Sequence, residues 1–203
     1  MTLKLYFAPG ACSLSAHIIA REAQLDIALE KVDLGSKKTA SGKDYLAINP
    51  KGYVPALELD NGQVLTENPA IALYLADKAP ASKLAPPSGS DERYRVIEAL
   101  AYINSEIHKS YSPLFNPKIA PELRQDRVEY LQRRYGIIEK QLSAHPYLLG
   151  ETFGVADAYL FTVTRWSGML KVDLSKFSKL AAFQERVGQR PAVKAAIEAE
   201  SAK

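Results

Sequence analysis

The fold of the chain's first half is decided by VPALELDNGQVL, residues 54–65. Two mainly apolar segments, 54–59 and 63–65, flank an Asp-Asn-Gly triplet at 60–62. Asp and Asn before Gly favour the positive φ angles that a tight turn requires, so this stretch predicts a β-hairpin.

Strand and helix patterns surround this hairpin on both sides. Residues 3–7 predict a short buried strand that ends before Pro9-Gly10, residues 12–24 a helix, and residues 28–32 a second strand. The intervening helix is long enough for a crossover, so we expect the two strands to be parallel neighbours. A helix over residues 67–78 follows the hairpin. The order βαβ, then ββα, predicts a thioredoxin-like domain over residues 1–79.

The second half of the chain has a different hydrophobic pattern. Residues 80–90 are rich in Pro, Ser and Gly and predict a linker. Beyond them the apolar residues recur every three or four positions, which predicts an all-helical domain over residues 91–203. Residues 155–170 are apolar nearly all round and predict one buried central helix. We therefore expect an α/β domain followed by an all-α domain.

Composition excludes several classes of function. The 203 residues carry 26 Lys and Arg against 23 Asp and Glu, and a net charge of +3 does not indicate nucleic-acid binding. No apolar run reaches the ~20 residues that cross a bilayer, and the N-terminus is unlike a signal peptide, so we expect a cytoplasmic protein without membrane contact. One cysteine and three scattered histidines predict no disulfide and no metal site.

Cys12, the single cysteine, follows a Pro-Gly turn at the predicted start of the first helix. Free N–H groups and the partial positive charge of a helix N-terminus lower the pKa of a thiol. Ser15 stands where a dithiol redox site has its second cysteine. Cys12 therefore has to react with, or hydrogen-bond to, a thiol from outside the chain, and glutathione is the abundant cytosolic candidate. The alternative is a buried structural thiol.

Two further motifs suit a peptide ligand. A cis bond between Val54 and Pro55 would expose the Val54 backbone, so that a peptide could pair with it; a trans proline at an edge strand is the alternative. Thr66-Glu67 opens a predicted helix, whose N–H groups can hold a carboxylate while Glu67 faces an ammonium. The alternative is ordinary helix capping by Thr66.

Five motifs, in order and with matching spacing over nearly the whole chain, resemble the bacterial beta-class glutathione transferases. They are APGACSLS at 8–15, NPKGYVPAL at 49–57, LTE at 65–67, EIHK at 106–109 and VADAYLF at 155–161. Each motif alone is weak, whereas the five together are highly specific.

The resemblance implies a set of site residues. Cys12 would lie at the glutathione sulfur and His108 would face it across the cleft, as the two catalytic residues. Val54 would pair with the cysteinyl backbone, and Glu106 would reach the ligand of a neighbouring subunit. The implied glutathione site comprises Cys12, Lys37, Tyr53, Val54, Pro55, Glu67, Asn68, Ser105, Glu106, His108 and Lys109. Trp166 and Tyr111 would contact the second substrate, with core packing as the alternative for Trp166.

The implied enzyme is a homodimeric transferase that joins the glutathione thiolate to apolar electrophiles. Thiol-disulfide exchange through Cys12 is a further possibility, and a catalytically weak glutathione-binding or regulatory protein is the alternative class. The sequence departs from the family pattern at Phe7 (usually Tyr), at Ala101 (often Asn) and at Gly154 (usually Ser or Thr). His108 has an ordinary pKa of ~6.5, which would let it take the thiol proton near neutral pH.

Overall fold

The computed structural model describes residues 3–201, which begin with the expected βαβ unit. Strand β1 spans Leu3–Phe7, helix α1 Ser13–Glu22 and strand β2 Ile27–Asp33. The two strands pair in parallel with Leu3 opposite Ile27, as the length of the crossover predicts. Helix α1 ends two residues earlier than the pattern indicates, because Gln24 already has a positive φ of 54°.

The sheet is completed by two short elements and the hairpin. The short strand β3, Lys38–Thr39, and the four-residue helix α2, Tyr45–Ile48, follow β2. The hairpin strands are β4, Ala56–Glu58, and β5, Val64–Thr66, and helix α3 spans Asn68–Lys78. Within the described residues the sheet has the order β3-β2-β1-β4-β5, with β4 antiparallel to both β1 and β5. Strand β4 begins after Pro55, which has no N–H to donate to the ladder.

The second half is helical throughout the described residues. A 3-10 turn at Pro80–Ser82 interrupts the predicted linker, and the division at residues 79–91 stays a prediction. The helices that follow are α4 Asp91–Tyr102, α5 Lys109–Tyr111, α6 Pro121–Ala144, α7 Val155–Thr164, α8 Trp166–Met169, α9 Ser178–Gly188 and α10 Pro191–Ser201. The thioredoxin-like domain followed by an all-helical domain is thereby confirmed.

The prediction of one central helix over residues 155–170 is wrong in one respect. It is broken at Arg165 into α7 and α8. Every residue of α7 is buried, as the apolar pattern predicts. Asp157 begins α7 by accepting hydrogen bonds from the N–H groups of Leu148 and Gly154, at 2.9 and 2.8 Å.

The two halves share one hydrophobic core. Helix α1 packs on α3 of its own half and on both α7 and α10 of the second half. A smaller core on the other face of the sheet includes Tyr6, Tyr45 and Val54. The loop that carries Cys12 therefore lies where the sheet, α1 and the helical half meet.

A wide π-helical turn, Ile103–His108, joins α4 to α5. Such turns occur mostly as short bulges inside α-helices, frequently at functional sites. The turn brings Asn104 and His108 to the same residue of α7, since both side chains contact the Tyr159 hydroxyl.

Candidate functional site

A cleft of about 700 Å³ lies between the two halves of the described chain. Such a volume is typical of small-ligand sites. Its first wall comes from the thioredoxin-like half and its second from the helical half. The lining residues are Cys12, Asn49, Lys51, Tyr53, Val54, Pro55, Thr66, Glu67, Asn68, Asn104, His108, Lys109 and Ser112.

Cys12 occupies the position just before α1, as predicted, but its pKa is shifted in the opposite direction. The Sγ–H donates to the Val54 carbonyl at 3.0 Å. Burial raises the pKa of the thiol to about 12 and outweighs the N–H groups of Cys12 and Ser13, which favour the thiolate. The expected lowering of the Cys12 pKa is therefore wrong for the free protein.

The segment that carries Val54 is rigidly held. The Val54–Pro55 peptide bond is cis, so the trans alternative is wrong. The Tyr53 carbonyl accepts hydrogen bonds from the Tyr45 hydroxyl at 2.7 Å and from the Asn49 amide at 2.8 Å. The Tyr53 ring projects into solvent with 70% of its surface exposed.

Two lysines flank the Tyr53 ring. Lys109 Nζ lies 5.9 Å and Lys37 Nζ 6.0 Å from its centroid. Lys109 belongs to the cleft lining, whereas Lys37 does not and donates to the Gly52 carbonyl at 2.9 Å.

Glu67 lies between β5 and α3 with a positive φ of 71°, a conformation that non-glycine residues rarely adopt. Lys51 Nζ donates to its carboxylate at 2.8 Å and to the Thr66 hydroxyl at 2.9 Å. Thr66 belongs to β5, and within the described chain no side chain caps α3, so the capping alternative is wrong. Asn68 is buried beside Ser15, to which its amide donates at 2.7 Å.

His108 lines the second wall of the cleft that Cys12 also lines. Its Nδ1 lies 2.5 Å from the Tyr159 hydroxyl, which itself donates to Asn104 Oδ1 at 2.9 Å. Burial, with a smaller effect of the Lys109 charge, lowers the pKa of His108 to about 4. The expectation of a pKa near 6.5 is therefore wrong, and the imidazole is neutral at pH 7.

Tyr159 is the principal group that sequence reasoning missed. Burial raises the pKa of its hydroxyl well above the ordinary value, with the nearby Cys12 sulfur contributing, so it stays protonated. The available signal was a tyrosine in a helix whose sequence predicts burial nearly all round, because a buried hydroxyl needs a hydrogen-bond partner. Tyr159 lies outside the cleft lining, and five residues of the lining itself were also missed: Asn49, Lys51, Thr66, Asn104 and Ser112.

Trp166 and Tyr111 lie behind the second wall rather than on it. Trp166 is 6% exposed, its ring centroid is 5.0 Å from that of His108, and its Nε1 donates to the Gly10 carbonyl at 2.9 Å. Tyr111 is fully buried, with its hydroxyl 3.0 Å from that of Tyr135. Core packing therefore describes both side chains in this structure.

Ser105 and Glu106 also lie outside the cleft lining. The Ser105 hydroxyl donates to the Ala101 carbonyl at 3.0 Å. The Glu106 carboxylate accepts from the Tyr130 hydroxyl at 2.5 Å and pairs with Arg134 Nε at 2.9 Å. Their predicted roles toward glutathione stay predictions.

Residues 3–201 contain neither a candidate metal site nor a candidate membrane-spanning helix. They contain no group of three His, Cys, Asp or Glu side chains that could hold a metal ion. Within the same residues no helix combines the length and apolarity needed to span a membrane.

Comparison with known proteins gives matches over both halves. Residues 10–78 match the family model "Glutathione S-transferase, N-terminal domain", and residues 102–191 match "Glutathione S-transferase, C-terminal domain". The chain is 44% identical to the glutathione S-transferase GstA of Escherichia coli O157:H7, over 99% of this chain and all of that protein.

Three solved structures share the whole architecture. A ternary complex of BphK, a bacterial transferase of this family, is 54% identical with a TM-score of 0.96, covering 98% of this chain and all of that one. A sphingomonad glutathione S-transferase complexed with glutathione is 44% identical with a TM-score of 0.95 and the same coverage. The beta-class enzyme of Sphingomonas chungbukensis is 43% identical with a TM-score of 0.94, covering 98% of both chains.

These matches extend over both halves of the chain, and the resemblance stated from the five motifs is confirmed. The chain belongs to the glutathione S-transferase family of enzymes and is similar to its bacterial beta-class members.

Proposed function

We propose that this enzyme binds glutathione along the first wall of the cleft and joins its thiolate to apolar electrophiles that enter along the second wall. The observation that carries the proposal is the Cys12 thiol, which lies in the cleft and donates to the Val54 carbonyl at 3.0 Å. A bound thiol at this place would meet the Cys12 thiol as a hydrogen-bond donor, beside the Val54 backbone that lines the cleft.

The polar groups of the first wall support the binding of glutathione along it. Glu67 and Asn68 offer a carboxylate and an amide to the γ-glutamyl end, and Val54 offers its backbone to the cysteinyl residue. Lys51 and Lys109 give the cleft two cations that complement the ligand carboxylates. Lys37, Tyr53, Pro55, Ser105 and Glu106 remain proposed as contributors from the family pattern.

The protonation state of Cys12 favours conjugation over disulfide exchange. A Cys12 thiol with a pKa of about 12 is protonated at pH 7, so it can donate a hydrogen bond to a glutathione thiolate. That thiolate would attack an electrophilic carbon, forming the carbon–sulfur bond while the leaving group or an adjacent acceptor takes the electron pair. Exchange through a Cys12 mixed disulfide would need the Cys12 thiolate, which is scarce.

The neutral His108 fits a different role, that of an acceptor. Its ring lies among Tyr159, Trp166 and the cleft. Since the Tyr159 hydroxyl donates to Asn104, the hydrogen of the neutral imidazole is on Nδ1, and Nε2 can accept a proton or an N–H of the ligand but cannot donate to its thiolate. Phe7 lies in the main core, and the Tyr6 hydroxyl donates to Glu58 at 2.6 Å, so neither supplies the family tyrosine.

We also propose a cytoplasmic homodimer. Tyr94 and Ile97 of α4 are 64% and 40% exposed, which gives this helix an apolar outer surface for a second copy. Sedimentation at micromolar concentration should give twice the chain mass of 22.3 kDa. Material of one chain mass alone would contradict the dimer.

The enzymatic proposal is tested with a halonitroarene and a mixed disulfide as alternative substrates. We expect conjugation by the wild type, and a loss of about tenfold to a hundredfold in kcat/KM for Cys12→Ala, because a hydrogen bond to a charged group contributes about 1.5–3 kcal/mol. His108→Asn should also lose activity. His145→Asn, which changes an exposed histidine away from the cleft, is the matched control.

The outcome distinguishes three functions. Disulfide reduction that exceeds conjugation and vanishes in Cys12→Ala would favour exchange. Calorimetric binding of glutathione without turnover would favour the regulatory alternative. Absence of both activities and of binding at millimolar glutathione would overturn the proposal.

A further inference from the structure

The Gly10 backbone is held on both sides by the helical half of the molecule. Its N–H donates to Glu200 Oε2 at 3.1 Å, and its carbonyl accepts from Trp166 Nε1 at 2.9 Å. Gly10 has a φ of +70° and lies two residues before Cys12. Residues from α8 and α10 therefore fix the turn that delivers the active-site cysteine.

Glu200 is part of a buried chain of polar side chains. It is 4% exposed although it lies near the end of α10, and His17 of α1 is 1% exposed. His17 Nδ1 lies 3.2 Å from Glu200 Oε1. Arg21 Nε donates to His17 Nε2 at 2.9 Å.

The geometry decides which histidine nitrogen carries the proton. Because Nε2 accepts a hydrogen bond from Arg21, it has no hydrogen of its own, and the proton of the neutral ring is on Nδ1. Nδ1–H then donates to Glu200. The Glu200 carboxylate thus receives two N–H donors, one from His17 and one from Gly10.

A buried carboxylate is costly unless its hydrogen bonds are satisfied. A simple anchor for α10 could be apolar, like its buried neighbours Val193 and Ala196. The carboxylate adds a directed bond to one backbone N–H of the cysteine turn, which an apolar side chain cannot make.

We propose that Glu200 is a positioning residue for Cys12, which acts by fixing the Gly10 turn opposite the Trp166 bond and is itself oriented by His17 and Arg21. The inference rests on the proposed role of Cys12 in glutathione binding. It assigns to the C-terminal helix a part in the reaction, although Glu200 itself does not line the cleft.

Glu200→Gln is the informative substitution, because glutamine has the shape of glutamate but replaces one accepting oxygen by an NH₂ donor. The two partners of Glu200, Gly10 N–H and His17 Nδ1–H, are both donors. The oxygen of a glutamine amide can accept from one of them, but its NH₂ group then faces the other donor. His17 could accept from that NH₂ after moving its proton to Nε2. Arg21 prevents this change, since two N–H groups would then face each other.

Arg21→Met removes that obstacle and should rescue Glu200→Gln. We expect Glu200→Gln to change the alkylation rate of Cys12 by about fivefold to tenfold and to shift the emission of Trp166. The double variant should return both close to wild-type values. Since Cys12 and Trp166 are the only cysteine and tryptophan in the sequence, each signal has one source.

Glu198→Gln, an exposed glutamate on the same helix, is the matched control and should change neither signal. Both signals are measured without glutathione, so they test the positioning role even if the conjugation assay fails. In the assay itself, Glu200→Gln should lower kcat/KM for conjugation, with recovery in the double variant.

A folded Glu200→Gln protein with wild-type alkylation and emission would overturn the proposal, as would failure of Arg21→Met to restore them. Hydrogen exchange of the Gly10 amide in the wild type tests it if the variant does not fold. We expect a protected amide, and exchange at the rate of an unstructured peptide would also overturn the proposal.

Discussion

Burial determines the protonation of the two reactive side chains in the cleft. Cys12 is at the start of a helix, where local structure favours a thiolate, yet removal from water raises the pKa of its thiol to about 12. His108 has its pKa lowered to about 4 by the same cause. Both groups are therefore neutral at pH 7. The Cys12 thiol can donate a hydrogen bond to a bound thiolate, whereas Nε2 of His108 can only accept one, because the ring hydrogen is on Nδ1 and faces Tyr159.

The first prediction concerns alkylation of Cys12 by iodoacetamide in the absence of glutathione. At pH 7 the thiolate should be about a thousandfold scarcer than for an ordinary thiol, and the greater nucleophilicity of a high-pKa thiolate recovers only part of this. We expect a rate at least roughly tenfold below that of a free cysteine, rising steadily up to pH 11. A plateau below pH 8 would contradict a raised pKa.

The second prediction concerns the titration of His108. Its C2-proton resonance, assigned by its absence in His108→Asn, should titrate with a midpoint near pH 4. Because an unfolded histidine has a pKa of ~6.5, unfolding takes up a proton between these values. The contribution of His108 to stability is then complete above pH 6.5 and is lost as the pH falls toward 4. A midpoint at 6.5 or above would show that the imidazole is not desolvated.

The positions of the cleft residues were easier to predict from the sequence than their protonation states. Cys12, Val54 and Glu67 sit at turns or helix ends that the sequence marks, whereas His108 could be located only through the resemblance that includes its EIHK motif. Their pKa values depend on what the other half of the chain packs against them, which local sequence does not contain. Tyr159 was missed for the same reason, since its partners Asn104 and His108 come from another helix.

At the scale of elements, the spacing of apolar residues predicted the long helices and the paired strands but not the short secondary-structure elements. Strand β3 and helix α2 are too short for any period to be visible. The break between α7 and α8 at Arg165 was also invisible, because apolar residues continue on both sides. The start of α7 was marked by Asp157, three residues after Gly154.

The third prediction concerns the start of α7. Asp157→Ala leaves the N–H groups of Leu148 and Gly154 without their acceptor, and Gly154 has no side chain to replace it. We expect the free energy of unfolding to fall by about 2–4 kcal/mol, measured by urea denaturation. Asp91→Ala, in the exposed first turn of α4, is the control and should stay within about 0.5 kcal/mol. Equal losses for the two variants would argue against a buried acceptor.

At the scale of the molecule, the site exists only because the two halves are packed together. Gly10 is held by Trp166 and Glu200, and α1 lies against both α7 and α10. Glu22 at the end of α1 makes a two-pronged ion pair with Arg190, at 2.6 and 2.8 Å. The cleft geometry should therefore persist only while the halves stay joined.

The fourth prediction concerns the Glu22–Arg190 ion pair, which connects the two halves. Glu22→Ala leaves the Arg190 guanidinium beside Phe153 without its carboxylate, and the side chain of Arg190 is 29% exposed. We expect a loss of about 1–2 kcal/mol in the free energy of unfolding, less than for a fully buried pair because water reaches Arg190. Glu98→Ala, which breaks the exposed pair with Arg95, should change stability by under about 0.5 kcal/mol.

The same experiment shows whether the halves unfold together. Trp166 emission reports contact with Gly10 of the first half, while far-ultraviolet circular dichroism reports mainly the helices of the second. If the shared core makes one cooperative unit, both probes give one urea midpoint in the wild type, and Glu22→Ala lowers both midpoints equally. Loss of the Trp166 signal before the helices unfold would mean that the halves separate first, and that the site disassembles before the fold does.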